Sequence, residues 1–444
     1  MNPLKNLNLS NNNITVFCDR GIVFSLCALI FVLPVSIALL DSFAALAIFF
    51  YIFKKANQIV FNWPLKISQA FFFPSSILDR PIQFLALAVF ISVLHSQYPG
   101  LSLFAFFGKF LKSVFLYLSF IEVFTTDKRI RIFLKIFLAS AFVVALNGVV
   151  EHYKGIDFLK GHVPGGGRIN SSFATGNGLG AYLIPVIVLV VQLLFSAISE
   201  ALQSRRNKSW FLQGGLIILL ALLMSCLCWT YSRSAWVGFL GALVLMVWMD
   251  QRKILYAGVL LLIFIFIFLP SLSQVRHMSL INDGYSTARD VPTGHSTSLA
   301  ISHLLEQGGS GRKGFWGKAI SIIRMSPVLG TGLNTYTRVI RRDPDQRTWW
   351  YAHNCYLQMT AETGLVGLIC FLWMLFVLFW QGLNCCRTLE GLWPQTFLQG
   401  TLAGLFGFLI QSFFDNTFYT VQLGCLLWML IGLAVALMRG RTNE

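Results

Sequence analysis

A few polar residues in this chain have the type and setting for chemistry. His353 sits in Tyr351-Ala352-His353-Asn354-Cys355-Tyr356-Leu357-Gln358, just before an apolar run. A neutral imidazole at such a mouth can take a proton from a hydroxyl, and a structural interfacial histidine is the competing reading. Arg312 lies in Gly308-Gly309-Ser310-Gly311-Arg312-Lys313-Gly314. Phe315, Trp316, Ala319, Ile320, Ile322 and Ile323 then recur at helical spacing, until Pro327 and Gly330 end the pattern. Arg312 therefore falls at a helix N-terminus, where free N–H groups and a guanidinium fork together receive an anion. A solvated arginine beside a flexible turn is the alternative. Arg233, in Tyr231-Ser232-Arg233-Ser234-Ala235-Trp236, falls at the turn between two apolar runs. A charge near lipid has a partner, a task, or a snorkelling stem.

Weaker candidates follow. Lys109 and Lys112 lie one turn apart inside the apolar run Leu101–Phe124. They face either an anionic headgroup or the interface. Asp343-Pro344-Asp345 has the form of a paired-aspartate cation site, and equally of a polar turn. His277, His295 and His303 show no metal-ligand spacing. Gly165-Gly166-Gly167-Arg168 lacks the pattern of a nucleotide loop.

Something must hold these residues, and the composition says what. Of 444 residues, 56% are hydrophobic and only 12% charged, where soluble domains are about a quarter charged. The net charge of +16 comes from short basic clusters between apolar runs, which is membrane topology rather than a nucleic-acid surface. The nine cysteines form no disulfide framework and no CxxC. The polar, Asn-rich first twenty residues are not a cleavable signal.

The apolar runs predict an all-α polytopic membrane protein of about 12 transmembrane helices. Gly21–Phe53 reads as a hairpin of two spans broken near Leu40-Asp41. Further spans are expected over Pro81–Leu94, Leu101–Phe124, Ile132–Val150, Gly178–Ala197, Phe211–Trp229, Ala235–Met249, Ile254–Leu269, Leu365–Leu383, Thr396–Phe413 and Phe418–Met438. Residues 1–270 thus hold spans one to nine with a loop at 151–177. Residues 271–362 form one large loop, and 363–444 hold the last three spans. The large loop carries ten Lys/Arg, six Asp/Glu and four of the seven histidines. Connections with Lys54/Lys55/Lys66/Arg80, Lys128/Arg129/Arg131, Arg205/Arg206/Lys208, Arg252/Lys253, Arg387 and Arg439/Arg441 are basic, whereas His95–Gly100 and Asp415–Thr417 have no Lys or Arg. The positive-inside rule places both termini in the cytoplasm and the two polar loops outside.

Taken together, these motifs resemble those of bacterial O-antigen ligases and related O-antigen polymerases. His353-Asn354-Cys355-Tyr356-Leu357-Gln358, with Glu362, Gly364, Leu365 and Gly367, resembles the family's H-N-x-Y-L-Q-x-x-x-E-x-G-L-x-G signature. Ser232-Arg233-Ser234 resembles its S-R-[SG] hairpin. Gly311-Arg312, Trp316 and Pro327-Val328-Leu329-Gly330-Thr331-Gly332 resemble its G-R-…-W…-P-[LI]-x-G-x-G loop. Arg168, Ser172, Phe173 and Asn177 resemble its R-x-x-[GS]-[TS]-F-x-x-x-N segment, with Thr175-Gly176 where a proline commonly precedes the Asn.

The resemblance implies a fold similar to other multi-span glycosyltransferases and an inverting transfer at the periplasmic face of the inner membrane, with no metal or other cofactor. The donor would be an undecaprenyl-diphosphate-linked glycan, and the acceptor a hydroxyl of lipid A core. By position, His353, Arg312 and Arg233 match the family's essential residues. Arg168, Asn177, Asn354, Tyr356, Gln358, Glu362, Lys112 and Lys109 are weaker candidates for holding diphosphate or glycan. Polymerisation of lipid-linked repeat units uses the same motifs. Transfer to protein hydroxyls fits less well, because the chain ends at Glu444 directly after the last span and protein-transferring relatives often carry a further C-terminal region. A transporter or flippase would show corresponding broken helices in two halves, and none are evident.

Overall fold

The computed structural model describes residues 3–62, 74–163, 167–204, 210–250, 258, 314–340, 351–389 and 391–439. Among these there is no strand. In lipid no water satisfies the backbone, so long apolar segments close their hydrogen bonds within themselves as helices. The order is α1 (Pro3–Val32), α2 (Ile37–Asn62), α3 (Asp79–Leu94), α4 (Pro99–Val123), α5 (Asp127–Lys154), α6 (Gly176–Ser204), α7 (Trp210–Trp229), α8 (Arg233–Met249), α9 (314–325), the short α10 (Tyr336–Ile340), α11 (Cys355–Thr388), α12 (Leu392–Gln411) and α13 (Val421–Met438). Eight of the described helices are long and apolar enough to cross a membrane. The helices α3 and α8 are shorter, and α12 is diluted by Gln395, Gln399 and Gln411. The chain is a polytopic, multi-pass membrane protein. The span expected over 254–269 and most of the large loop lie outside the described residues.

Three expected boundaries need correction. The first hairpin breaks at Leu33–Ser36, not at Leu40-Asp41, because Pro34 cannot continue a helix. Asp41 is instead inside α2, where it pairs with Lys112 at 2.7 Å. The polar N-terminal stretch is also helical, as a continuous extension of α1. The span expected over Leu365–Leu383 is the middle of a longer helix, α11, that begins at Cys355.

The helices that position the site pack through small residues, which let backbones approach closely. Where α8 crosses α12, Gly238 and Gly407 each face the other's carbonyl, leaving no room for a Cβ. The helix α6 packs against both α7 and α12, and α3 packs against α11. This sets the α7–α8 turn, the start of α6 and the end of α12 at one end of the bundle.

Segment 327–332 is laid along a kink in α11. Gly364 has φ 71° inside that helix, and Gly330 has φ 71° opposite it. Leu365 N–H donates to Pro327 O at 2.9 Å, Thr331 N–H to Ala361 O at 3.0 Å and Gly332 N–H to Glu362 O at 2.9 Å. A Cβ on Gly364 would overlap the Val328 carbonyl, and one on Gly330 would overlap that of Glu362. The glycines serve both the left-handed backbone and this close approach.

Candidate active site

His353 is the last residue but one before α11, and its φ of 49° is left-handed. For a residue with a Cβ that conformation costs about 1–2 kcal/mol, so its surroundings must hold it there. They do so from both sides. Asn354 caps α11, its Oδ1 accepting from Tyr356 N–H at 2.9 Å and Leu357 N–H at 3.0 Å. Cys355 N–H donates to Ser412 O at 2.9 Å, and Tyr356 OH to Leu409 O at 2.8 Å. The start of α11 is thus stitched to the end of α12.

That stitching brings Asp415 to His353. His353 Nδ1 lies 3.1 Å from Asp415 Oδ1. A carboxylate facing Nδ1 assigns the proton to that nitrogen and leaves Nε2 as the proton acceptor. The imidazole is about a third exposed, at 32%. Phe315, at the start of α9, lies against it with ring centroids 5.3 Å apart.

Asp415 is itself held. Burial pushes its carboxyl up, but hydrogen bonds from His353, the Asn416 N–H and the Asn177 side chain outweigh this and hold it below the usual carboxylate value. Asn177 is in turn fixed at the start of α6. Its Oδ1 accepts from Arg168 Nη2 at 2.8 Å, which leaves its N–H₂ for Asp415. Its backbone carbonyl accepts from Gln411 Nε2 at 2.7 Å.

Arg168 also donates through Nε to Thr230 O at 2.8 Å, three residues before Arg233. The loop carrying Arg168 is pinned by Glu151, which accepts from Asn170 N–H at 3.1 Å, and by Asn147, which donates to Ser171 Oγ at 2.9 Å. One line of contacts therefore runs from the α7–α8 turn through Arg168, Asn177 and Asp415 to His353.

Arg233 opens α8, with Ser232 as its cap: Ser232 Oγ accepts from Ala235 N–H at 3.3 Å. The guanidinium is exposed and has no hydrogen bond or ion pair among the described residues. Arg312, Asp343 and Asp345 lie outside the described residues. The expected helix after Arg312 is present as α9, and its Trp316 packs on Phe413 at 5.7 Å.

The other candidates sit apart from the imidazole. Glu362 is buried at 1% and accepts from Asn334 N–H at 2.8 Å, Tyr336 N–H at 3.4 Å and Gln358 Nε2 at 3.3 Å. Gln358 Oε1 also accepts from Asn416, the neighbour of Asp415. Lys109 donates to Asn334 Oδ1 at 2.9 Å, and Lys112 is engaged by Asp41.

Asp415 is the group that sequence reasoning missed. In the sequence it is the sole charge in the short connection Asp415–Thr417, which lacks Lys and Arg. An acid in an otherwise uncharged turn at a membrane face is a signal, but its partner is sixty-two residues away.

Residues 216–372 match the family model described as O-antigen ligase. This stretch contains Arg233, Arg312 and His353, and it supports the O-antigen ligase/polymerase superfamily. No curated protein matches the chain.

Proposed function

We propose that this protein is an inverting glycosyltransferase that moves a glycan from undecaprenyl diphosphate to a hydroxyl of lipid A core, at the periplasmic face of the bacterial inner membrane. The observation that carries the reading is the His353–Asp415 pair, 3.1 Å apart and supported by Asn177, at the same end of the bundle as the exposed Arg233. The family match, which spans Arg233 and His353, supports the reaction class.

The chemistry follows from these groups. The acceptor oxygen attacks the anomeric carbon as His353 Nε2 takes its proton, and the bond from that carbon to the diphosphate oxygen breaks. Such proton transfer contributes about a hundred- to ten-thousand-fold. Asp415 stabilises the imidazolium that forms. The departing diphosphate carries the developing negative charge, which suits the guanidiniums of Arg233 and Arg312; one well-aimed donor is worth about 3–4 kcal/mol. The attack comes from the face opposite the leaving group, so the anomeric centre inverts. No metal enters this account.

In this reading Arg168, Asn177, Asn354, Tyr356, Gln358 and Glu362 shape and support the site rather than touch the diphosphate. Lys109 and Lys112 lie outside it. The second reading, polymerisation of lipid-linked repeats, shares the family match. Purified protein with undecaprenyl-diphosphate glycan, with and without lipid A core, separates the two. Product only with core marks a ligase. Longer lipid-linked chains without core mark a polymerase, and no product in either tube overturns the proposal.

A further inference from the structure

Lys112 and Asp41 form an ion pair that the reaction does not use. It stands at the head of a groove of about 490 Å³ between α2 and α4. Below it the walls are Ala45, Ile48, Phe49, Ile52 and Phe107. The α2 residues fall at helical spacing on one face. Phe49, Ile52 and Phe107 are 59%, 51% and 59% exposed, so the groove opens sideways to lipid. Gly108, within a six-residue π-helical turn, Phe106–Leu111, lines its floor. A Cβ on Gly108 would touch only the edge of Phe104. Single π turns inside helices are frequent at functional sites.

Contacts show toward which end of the bundle this groove lies. Gln422 Nε2 donates to Leu33 O at 2.8 Å and Pro34 O at 3.1 Å. The α1–α2 turn is therefore at the same end of the bundle as the Asp415 turn that precedes α13. Asp41 is in the second turn of α2 from that end, and Lys54 is about 20 Å further along the axis. The ion pair thus lies nearer than Lys54 to the His353 end of the bundle, and the apolar walls run from it along α2 toward Lys54.

A carboxylate in such a place is costly unless it is covered by something polar. The Asp41 side chain is 47% exposed, against 17% for Lys112. Its Oδ1 holds Lys112, and no donor to Oδ2 is present among the described residues. The pair offers one open acceptor and the unused N–H groups of an ammonium, side by side. A headgroup that carries both a phosphate and a primary ammonium complements both. A diphosphate or a multiply phosphorylated lipid would be repelled by Asp41, and a quaternary ammonium has no N–H to donate.

We infer that the α2–α4 groove is a binding site for a zwitterionic, primary-amine phospholipid such as phosphatidylethanolamine, its phosphate on Lys112, its ammonium on Asp41 and one acyl chain along Ala45 to Ile52. The site is independent of the transfer reaction and of its assignment.

The test is native mass spectrometry of the full protein, delipidated in detergent. It is then given an equimolar mixture of phosphatidylethanolamine, phosphatidylcholine and phosphatidylglycerol with matched acyl chains. The wild type should retain phosphatidylethanolamine about tenfold over either competitor, the worth of one charge-assisted hydrogen bond. Asp41→Asn should bring that preference close to parity. Gly108→Leu should lower retention of the lipid while leaving the ion pair in place, and it decides the matter should Asp41→Asn fail to fold. Equal retention of all three lipids by the wild type overturns the proposal. So does preference for phosphatidylglycerol, an unchanged preference in folded Asp41→Asn, or undiminished retention in folded Gly108→Leu.

Discussion

Replacing Asp415 by Asn tests the proposed site most directly. In the transition state His353 becomes an imidazolium 3.1 Å from the Asp415 carboxylate. With an effective dielectric of about 20, two unit charges at that distance attract by about 5 kcal/mol. The imidazole is about a third exposed, so solvent screening roughly halves this, to about 2–3 kcal/mol. That is about a 30- to 150-fold loss in kcat. The amide also cannot serve all its neighbours. His353 Nδ1, the Asn416 N–H and the Asn177 side chain all bond to the carboxylate. An amide has one oxygen, and its N–H₂ turned toward either side meets another donor. The assay is transfer from purified undecaprenyl-diphosphate glycan to acceptor, with kcat and KM resolved for each substrate over about pH 6 to 9. The expected result is a fall in kcat with the donor KM little changed, in protein that still elutes as one species from detergent. More than half of the wild-type kcat across that range would refute the orienting role. A rise in donor KM at unchanged kcat would move Asp415 from the base to substrate binding.

Four further outcomes follow from the same geometry. His353→Ala should abolish transfer while leaving membrane accumulation unchanged, and retained transfer removes the general base. Arg168→Lys should lower kcat and leave the donor KM alone, because one ammonium cannot replace an Nε and an Nη2 that hold Thr230 and Asn177 separately; steady-state kinetics read the difference. The folded Asp415 value lies below its unfolded value, so the stability it contributes is complete above about pH 5 and fades as pH falls through the lowered folded value. The difference in melting temperature between wild type and Asp415→Asn should accordingly be constant above that point and shrink below it. Gly364→Ala should prevent accumulation in the membrane, since a left-handed φ costs about 1–2 kcal/mol and the new Cβ also overlaps the Val328 carbonyl; normal levels on a membrane immunoblot would contradict this.

The helices were legible because lipid leaves a chain few options: the length of the apolar runs gave most of the bundle. Break points were less legible. Leu40-Asp41 reads as a break in the apolar run, but Lys112, seventy-one residues away, supplies Asp41 with a counter-charge between α2 and α4. Pro34 was the stronger signal, being a backbone constraint that no distant partner can lift. The same contrast holds in the site. His353, Arg233 and Arg168 were picked out by residue type and by motif. Asp415 and the order Arg168–Asn177–Asp415–His353 depend on how α6, α11 and α12 cross, which local sequence does not contain.

The glycine and glutamate of the His353 signature show why a motif and its reason are different things. Gly364 and Glu362 stand beside a histidine that can do chemistry, and proximity in sequence suggests a shared task. In three dimensions they face another way. Gly364 admits the Val328 carbonyl, and Glu362 receives the N–H groups of Asn334 and Tyr336. Their effect is to clamp segment 327–336, which follows α9, onto α11. Phe315 of α9 lies on the His353 ring, and Arg312 comes three residues before Phe315 in the chain. A clamp between the α9 loop and the helix that opens beside His353 therefore sets how closely that loop can approach the base. Glu362→Gln keeps the volume but removes one acceptor oxygen, so it should loosen this approach without touching the imidazole. The expected signature is a loss of kcat together with faster proteolysis within residues 314–340 in intact membranes. Slower transfer with unchanged proteolysis would place the buried glutamate in the reaction itself.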